Sequence, residues 1–271
     1  MFKAELRFKR GDNSMTEDEK RAMERYQKAA EQGDADAQYN LGLCYKTGAG
    51  IAKDEKKAVE WFQKAAEQGD ADAQCILGYC YEYAEGVVKD EKEAVKWYQR
   101  SAEQGNAKAQ FLLGSCYMAG KGVAVDERKA VEWLKKAAEQ EMSYKVQYEV
   151  QYVLGLCYEF GAGVEKDEKK AVECYQKAAK LGNTDAQTAL GLCYERGIGV
   201  EKNHYTAAKW FVSAQYRNCL NCFRDGKEAA QDIKMALKRY ITYRKAAEQG
   251  NAAAKKKVKD LEAEKSGDKN G

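Results

Sequence analysis

The pentapeptide Leu-Gly-x-Cys-Tyr begins at Leu41 and returns at Leu77, Leu113, Leu154 and Leu190, at steps of 36, 36, 41 and 36 residues. A motif that recurs at this period marks an array of small supersecondary units. Each buries its apolar face against its neighbours because it cannot bury it alone. The period overrides the one or two globular domains that 271 residues would ordinarily suggest. An all-α helical array is expected in their place, with recognition of other proteins as its role.

The second unit shows the internal logic. Ala73, Leu77, Cys80 and Tyr81 recur at helical spacing and predict a helix A over 71–83. Gly78 lies in the middle of that helix, where glycine costs about 1 kcal/mol relative to alanine. Its recurrence in five units predicts close approach of a neighbouring helix. Glycine pairs at 48/50, 120/122, 161/163 and 197/199 offer positive φ where helix A stops, and the second unit departs from this with Ala84. Asp54, Asp90, Asp126, Asp167 and Asn203 then stand as N-caps of a helix B. Helix B carries small residues and aromatics such as Ala58, Trp61, Phe62, Ala65 and Ala66.

Composition agrees with a thin helical object. Charged residues make up 33% of the chain, proline is absent, and the net charge of +3 is spread over interleaved signs, which gives no broad footprint for nucleic acid. No apolar run is long enough to span a bilayer, and residues 1–15 lack the continuous apolar stretch of a secretory signal. A cytoplasmic location is expected, with delivery into a host cell left open. Five of the nine cysteines occupy one repeat position (Cys44, Cys80, Cys116, Cys157, Cys193). That places them about one unit apart, too far for the ~5.5 Å Cα separation of a disulfide. They are read as small buried packing groups in a reducing compartment.

The spacing divides the chain into a poorly ordered leader over 1–17 and a lone helix B over 18–33. Repeats follow over 34–69, 70–105, 106–141, 142–182 with a five-residue insertion, and 183–217. A degenerate sixth repeat over 218–250, a capping helix over 251–265 and a disordered tail over 266–271 complete it. The insertion near 141–147 predicts a longer helix or a bulged turn. Whether Met1 or Met15 is the native start is open.

The pattern A-x-x-x-L-G-x-C/Y-Y-x-x-G-x-G-V-x-x-D-x-x-K-A-x-x-W-Y/F-x-K-A-A-x-x-G closely resembles the Sel1-like repeat family, relatives of tetratricopeptide repeats. The match is clear over about 18–217 and weak over 218–264. The resemblance implies a right-handed superhelical α/α solenoid that acts as an adaptor or scaffold. One secreted branch of the family staples each unit with a cysteine pair. This chain has no regular partner cysteine, so that branch's properties are not carried over.

Alignment of Leu41-Gly42 with tetratricopeptide repeats also implies which helix A positions face the concave groove. These include Asp36, Tyr39, Leu43 and Lys46; Asp72, Cys75, Tyr79, Glu82 and Tyr83; Lys108, Phe111, Ser115 and Met118; Glu149, Tyr152, Leu156, Glu159 and Phe160; and Asp185, Thr188, Leu192, Glu195 and Arg196. They vary between units while the packing positions do not. Tyr39, Leu43, Tyr79, Glu82, Tyr83, Phe111, Met118, Tyr152, Glu159 and Phe160 are the candidate protein-binding residues, with the aromatics as anchors. Seven acids against three bases among the groove positions favour a neutral or basic ligand with apolar anchors.

Other chemistry finds little support. Cys219-x-x-Cys222 lacks the further ligands of a zinc site. His204, the single histidine, has no evident nucleophile beside it. Lys255-Lys256-Lys257 reads as a solvated face. No cofactor, metal or catalytic residue is expected, and the chain is read as a non-enzymatic scaffold of unknown oligomeric state. A hydrolase-like site on the concave face and a purely structural spacer stand as alternatives.

Overall fold

The computed structural model describes residues 17–140 and 143–225. The expected leader (1–16 of it), most of the degenerate sixth repeat, the capping helix and the tail lie outside the described residues. The chain divides into two compact units, Met1–Glu141 and Met142–Gly271. Among the described residues there are eleven α-helices and no strand. The first unit holds α1 (Glu17–Glu31), α2 (Ala35–Thr47), α3 (Glu55–Glu67), α4 (Ala71–Tyr83), α5 (Glu91–Glu103), α6 (Ala107–Ala119) and α7 (Glu127–Ala138). The second holds α8 (Tyr144–Phe160), α9 (Glu168–Leu181), α10 (Thr184–Arg196) and α11 (His204–Asp225). The even-numbered helices are the A helices, and α4 spans the expected residues.

Local chemistry explains both turns of the repeat. At the end of α3 the Gly69 N–H donates to the Ala66 carbonyl and the Asp70 N–H to the Ala65 carbonyl, each at 3.1 Å, with Gly69 at φ +99°. This paired closure satisfies carbonyls that the helix end leaves open. Asp70 then serves the next helix, its carboxylate accepting from the Ala73 N–H at 2.6 Å. Asn106 and Asn183 repeat that role for α6 and α10. At the other turn, Asp54, Asp126 and Asp167 accept from first-turn N–H groups at 3.0 Å. Asp90 and Asn203 do the same at 2.9 Å. Each such cap contributes about 1 kcal/mol.

Ala84 tests the glycine rule from inside the chain. It ends α4 in the left-handed region at φ 58°, ψ 34°, where the other A helices end in glycine. A side chain there costs roughly 1–2 kcal/mol. Ala84→Gly is expected to stabilise the protein by about 1 kcal/mol net of the entropy glycine adds to the unfolded chain, read as a higher urea midpoint with an unchanged slope.

Successive helices pack in chain order within each unit. In the first unit one core cluster joins Ala58, Phe62 and Ala65 of α3 to Ala73, Leu77 and Cys80 of α4, with Trp97 of α5 closing over it. The equivalent cluster in the second unit joins Ala171, Tyr175 and Ala178 of α9 to Ala186, Leu190 and Cys193 of α10. All five repeat cysteines are buried and outside any disulfide. Burial pushes the Cys80 thiol up to about 11 and that of Cys116 to about 12, which makes them packing groups.

Glycines are used twice for close approach. A Cβ on Gly42 would lie 2.5 Å from the Phe62 ring, and one on Gly78 would lie 2.7 Å from the Tyr98 ring and 3.0 Å from the Ala94 carbonyl oxygen. Mid-helix glycine therefore lets the two helices of one repeat touch. The loop glycines Gly86 and Gly122 instead lie against the first turn of helix B in the preceding repeat, where a Cβ would overlap the carbonyls of Glu55 and Glu91.

Buried glutamines tie the repeats together as well. Gln38, Gln74 and Gln110 donate to the carbonyls of Ala30, Ala66 and Ala102 at 3.0–3.1 Å. Their own side-chain oxygens accept from Gln68, Gln104 and Gln140 at 2.7–2.8 Å. The insertion before α8 becomes helix: α8 has 17 residues where α2, α4, α6 and α10 have 13. α11 runs unbroken for 22 residues across position 217, where the spacing places the boundary with a sixth repeat.

Candidate protein-interaction surface

The groove positions fall at steps of three and four along each A helix, so they share one stripe of that helix. In the first unit the stripes of three successive A helices meet at Tyr79. Its ring lies 4.4 Å from that of Tyr83, four residues on, while Lys46 Nζ of α2 and Lys108 Nζ of α6 sit 4.9 and 5.8 Å from its centroid. Tyr83 is 52% exposed. Phe111 and Met118 of α6 are half-buried.

Other candidates spend part of their surface on packing. Tyr39 lies 6.0 Å from the Phe62 ring, and Leu43 packs on the same cluster. Burial, helped by Asp72 and Asp70, pushes the Tyr39 hydroxyl up to about 12. In the second unit Tyr152 lies 5.9 Å from the Tyr175 ring. Glu159 accepts a hydrogen bond from the Tyr175 hydroxyl. Phe160 is 73% exposed.

Glu82 requires a correction. It is 8% exposed, accepting from the Tyr98 hydroxyl at 2.9 Å and facing Lys121 Nζ at 3.1 Å. Its carboxylate is consumed inside the array and is a packing group, not an open ligand contact. Cys75, also placed on the groove, is buried at 4%.

The network around Glu82 had a signal in the sequence that sequence reasoning passed over. Glu82 and Glu159 each precede a tyrosine by 16 residues, Tyr98 and Tyr175, and bond to it. Where the later position is Phe62 or Leu134, the earlier one is Lys46 or Met118. Glu195 with Phe211 is the exception. Lys46 in turn pairs with Glu85 and Glu82 with Lys121, both 39 residues apart and with the signs exchanged. One joint of the first unit thus runs from cation to anion and the next from anion to cation.

His204 is exposed at the start of α11, and among the described residues no group of three His, Cys, Asp or Glu side chains is placed to hold a metal. The side chains of Cys219 and Cys222 lie outside the described ones. No helix among the described residues is long and apolar enough to cross a membrane.

The Sel1 repeat model matches residues 6–34, 35–70, 71–106, 107–142, 149–183, 184–214 and 243–251. The chain belongs to the Sel1 repeat family. Two solved structures agree. A Sel1 repeat protein from Oxalobacter formigenes is 33% identical with a TM-score of 0.65, over 73% of this chain and 82% of that one. The protein c5321, a protective antigen of uropathogenic Escherichia coli with an SLR fold, is 36% identical with a TM-score of 0.68, over 86% of this chain and 50% of that one. No curated protein matches the chain. Sel1 repeat proteins are in general scaffolds for protein–protein interaction and typically non-enzymatic.

Proposed function

We propose that this Sel1 repeat protein is a non-catalytic adaptor that holds a peptide or protein segment on the stripes of its A helices. The observation that carries the reading is the tilted Tyr79–Tyr83 ring pair, supplied with cations from the A helices on either side. Packing positions recur from repeat to repeat, whereas this stripe offers Leu43, Tyr79, Ser115, Leu156 and Leu192 at one register position. A packing function alone gives no reason for that variety. Aromatics with one face in the protein and one in water are efficient anchors, since they bring large contact area with few torsions to immobilise. The anchors are Tyr39, Leu43, Tyr79, Tyr83, Phe111, Met118, Tyr152 and Phe160, and the ligand is a segment with apolar anchors and neutral or basic character. A cytoplasmic location belongs to the same proposal. Its support is that the repeat thiols are buried for packing instead of paired for cross-linking.

The test is quantitative capture from cell lysate by wild type and by the triple variant Tyr79→Ser, Tyr83→Ser, Phe111→Ser. Proteins retained by the wild type are expected to drop by about tenfold or more, with the helical circular dichroism spectrum preserved. Equal capture by a folded triple variant would return the chain to the spacer reading.

A further inference from the structure

We infer that the A-helix face of the second unit, carried by α8 and α10, docks a basic segment of a partner protein, its cationic side chains flanking an apolar or aromatic anchor. This rests on the adaptor reading and narrows its neutral or basic ligand to a basic one, held by the second unit.

The first argument is an uncovered ring. Phe160 occupies the repeat position of Tyr83, and Leu156 that of Tyr79. In the first unit the Tyr79 ring lies against that of Tyr83 and is itself flanked by lysines. With leucine at that position, Phe160 has no ring to lie against among the described residues and stands 73% exposed at the end of α8. Tyr152 and Leu156 on α8 and Leu192 on α10 are half-buried and continue the apolar strip. An exposed phenylalanine that extends an apolar strip is the surface a partner side chain would cover, at about 25 cal/mol per Å² removed from water.

The second argument is charge complementarity. The excess of acid on the groove positions lies mainly in the second unit. Glu149 opens the α8 stripe; Asp185 and Glu195 lie at the two ends of the α10 stripe. None of the three forms an ion pair with a described residue. Asp185 and Glu159 both lie close enough to Tyr152 to help burial hold its hydroxyl above the ordinary range, so their field converges on the apolar strip. Two lysines of the second unit are engaged at the start of α9: Lys166 pairs with Glu168 at 2.9 Å and Lys170 with Asp167 at 3.1 Å. Arg196 is the one base on the α10 stripe. The first unit is the contrast, since Glu82 is paired internally and Lys46 and Lys108 flank the ring at the centre of its stripe. An acidic rim around an apolar strip selects a cationic partner, speeds encounter and loses strength as salt rises.

The test uses the full chain and a fluorescein-labelled twelve-residue peptide in which lysine alternates with leucine or phenylalanine. One control replaces lysine with glutamate, and a second replaces leucine and phenylalanine with serine. Anisotropy titrations are expected to show binding of the first peptide only, weakening as salt is raised. Phe160→Ser and the double variant Asp185→Lys/Glu195→Lys are each expected to lower that affinity by about tenfold or more with the circular dichroism melt unchanged, whereas Val88→Ser, at an exposed loop residue outside the groove positions, leaves it as in wild type. No binding of the lysine peptide, equal binding of the glutamate peptide, or wild-type affinity in both second-unit variants would overturn the inference. Because capture in the earlier experiment is read on first-unit residues, its loss there together with a negative result here would discard the partner chemistry while leaving the adaptor reading intact.

Discussion

Gly122→Ala should destabilise the protein by about 3 kcal/mol or more, whereas Gly48→Ala should cost only about 1 kcal/mol. Both glycines have positive φ, +66° and +74°, so both substitutions place an alanine in the left-handed region. What differs is the space. A Cβ on Gly48 meets nothing nearer than Lys53 Cβ at 3.4 Å, whereas one on Gly122 would overlap the Glu91 carbonyl in the first turn of the preceding repeat's helix B. Backbone in a capped helical turn cannot swing aside as a flexible side chain can. The chain already tolerates the cheaper situation, since Ala84 adopts φ 58° at the position equivalent to Gly48. Urea unfolding of the two variants side by side separates the conformational cost from the contact between repeats. Equal costs would show that the loop does not press on its neighbour.

Tyr98→Phe should cost about 2 kcal/mol, because it removes one hydroxyl and leaves a buried carboxylate short of a donor. Tyr98 is wholly buried, and its hydroxyl is held far above its ordinary pKa by burial, with the Glu82 charge and hydrogen bond adding to it. The proton therefore stays on tyrosine, which remains the donor to Glu82. Lys121 is half exposed and supplies the second partner. Replacing Glu82 with methionine, the residue found at the equivalent position 118, should make the tyrosine hydroxyl far less important. The double variant Tyr98→Phe/Glu82→Met is thus expected to fall short of the sum of the single costs by about 1–2 kcal/mol. Strict additivity in a double-mutant cycle would mean the bond contributes nothing specific.

The candidate surface was only partly legible before the structure. Register along the A helices was readable, because a stripe at steps of three and four needs only helical geometry. The share of each side chain spent on packing was not. Tyr39 and Tyr152 lean on Phe62 and Tyr175, 23 residues later in each case, and nothing in a single helix announces how far two helices stand apart. Charge counting misled for the same reason. Glu82 counts as a groove acid until Tyr98 and Lys121 are seen to enclose it, and after that the surplus of negative charge belongs mainly to α8 and α10.

Sequence alone determined the period, the helix pairs, their caps and the buried thiol position, because each depends on chemistry within a few residues or on exact recurrence. Asp70 ends one turn and caps the next helix whatever lies around it. Tertiary structure alone decided which glycines are contacts and which are only turns, and which repeat hands a charge to which. It also decided which aromatics remain open to a partner. Those outcomes depend on distances between segments tens of residues apart, and such distances are set by the side chains that fill the space between helices.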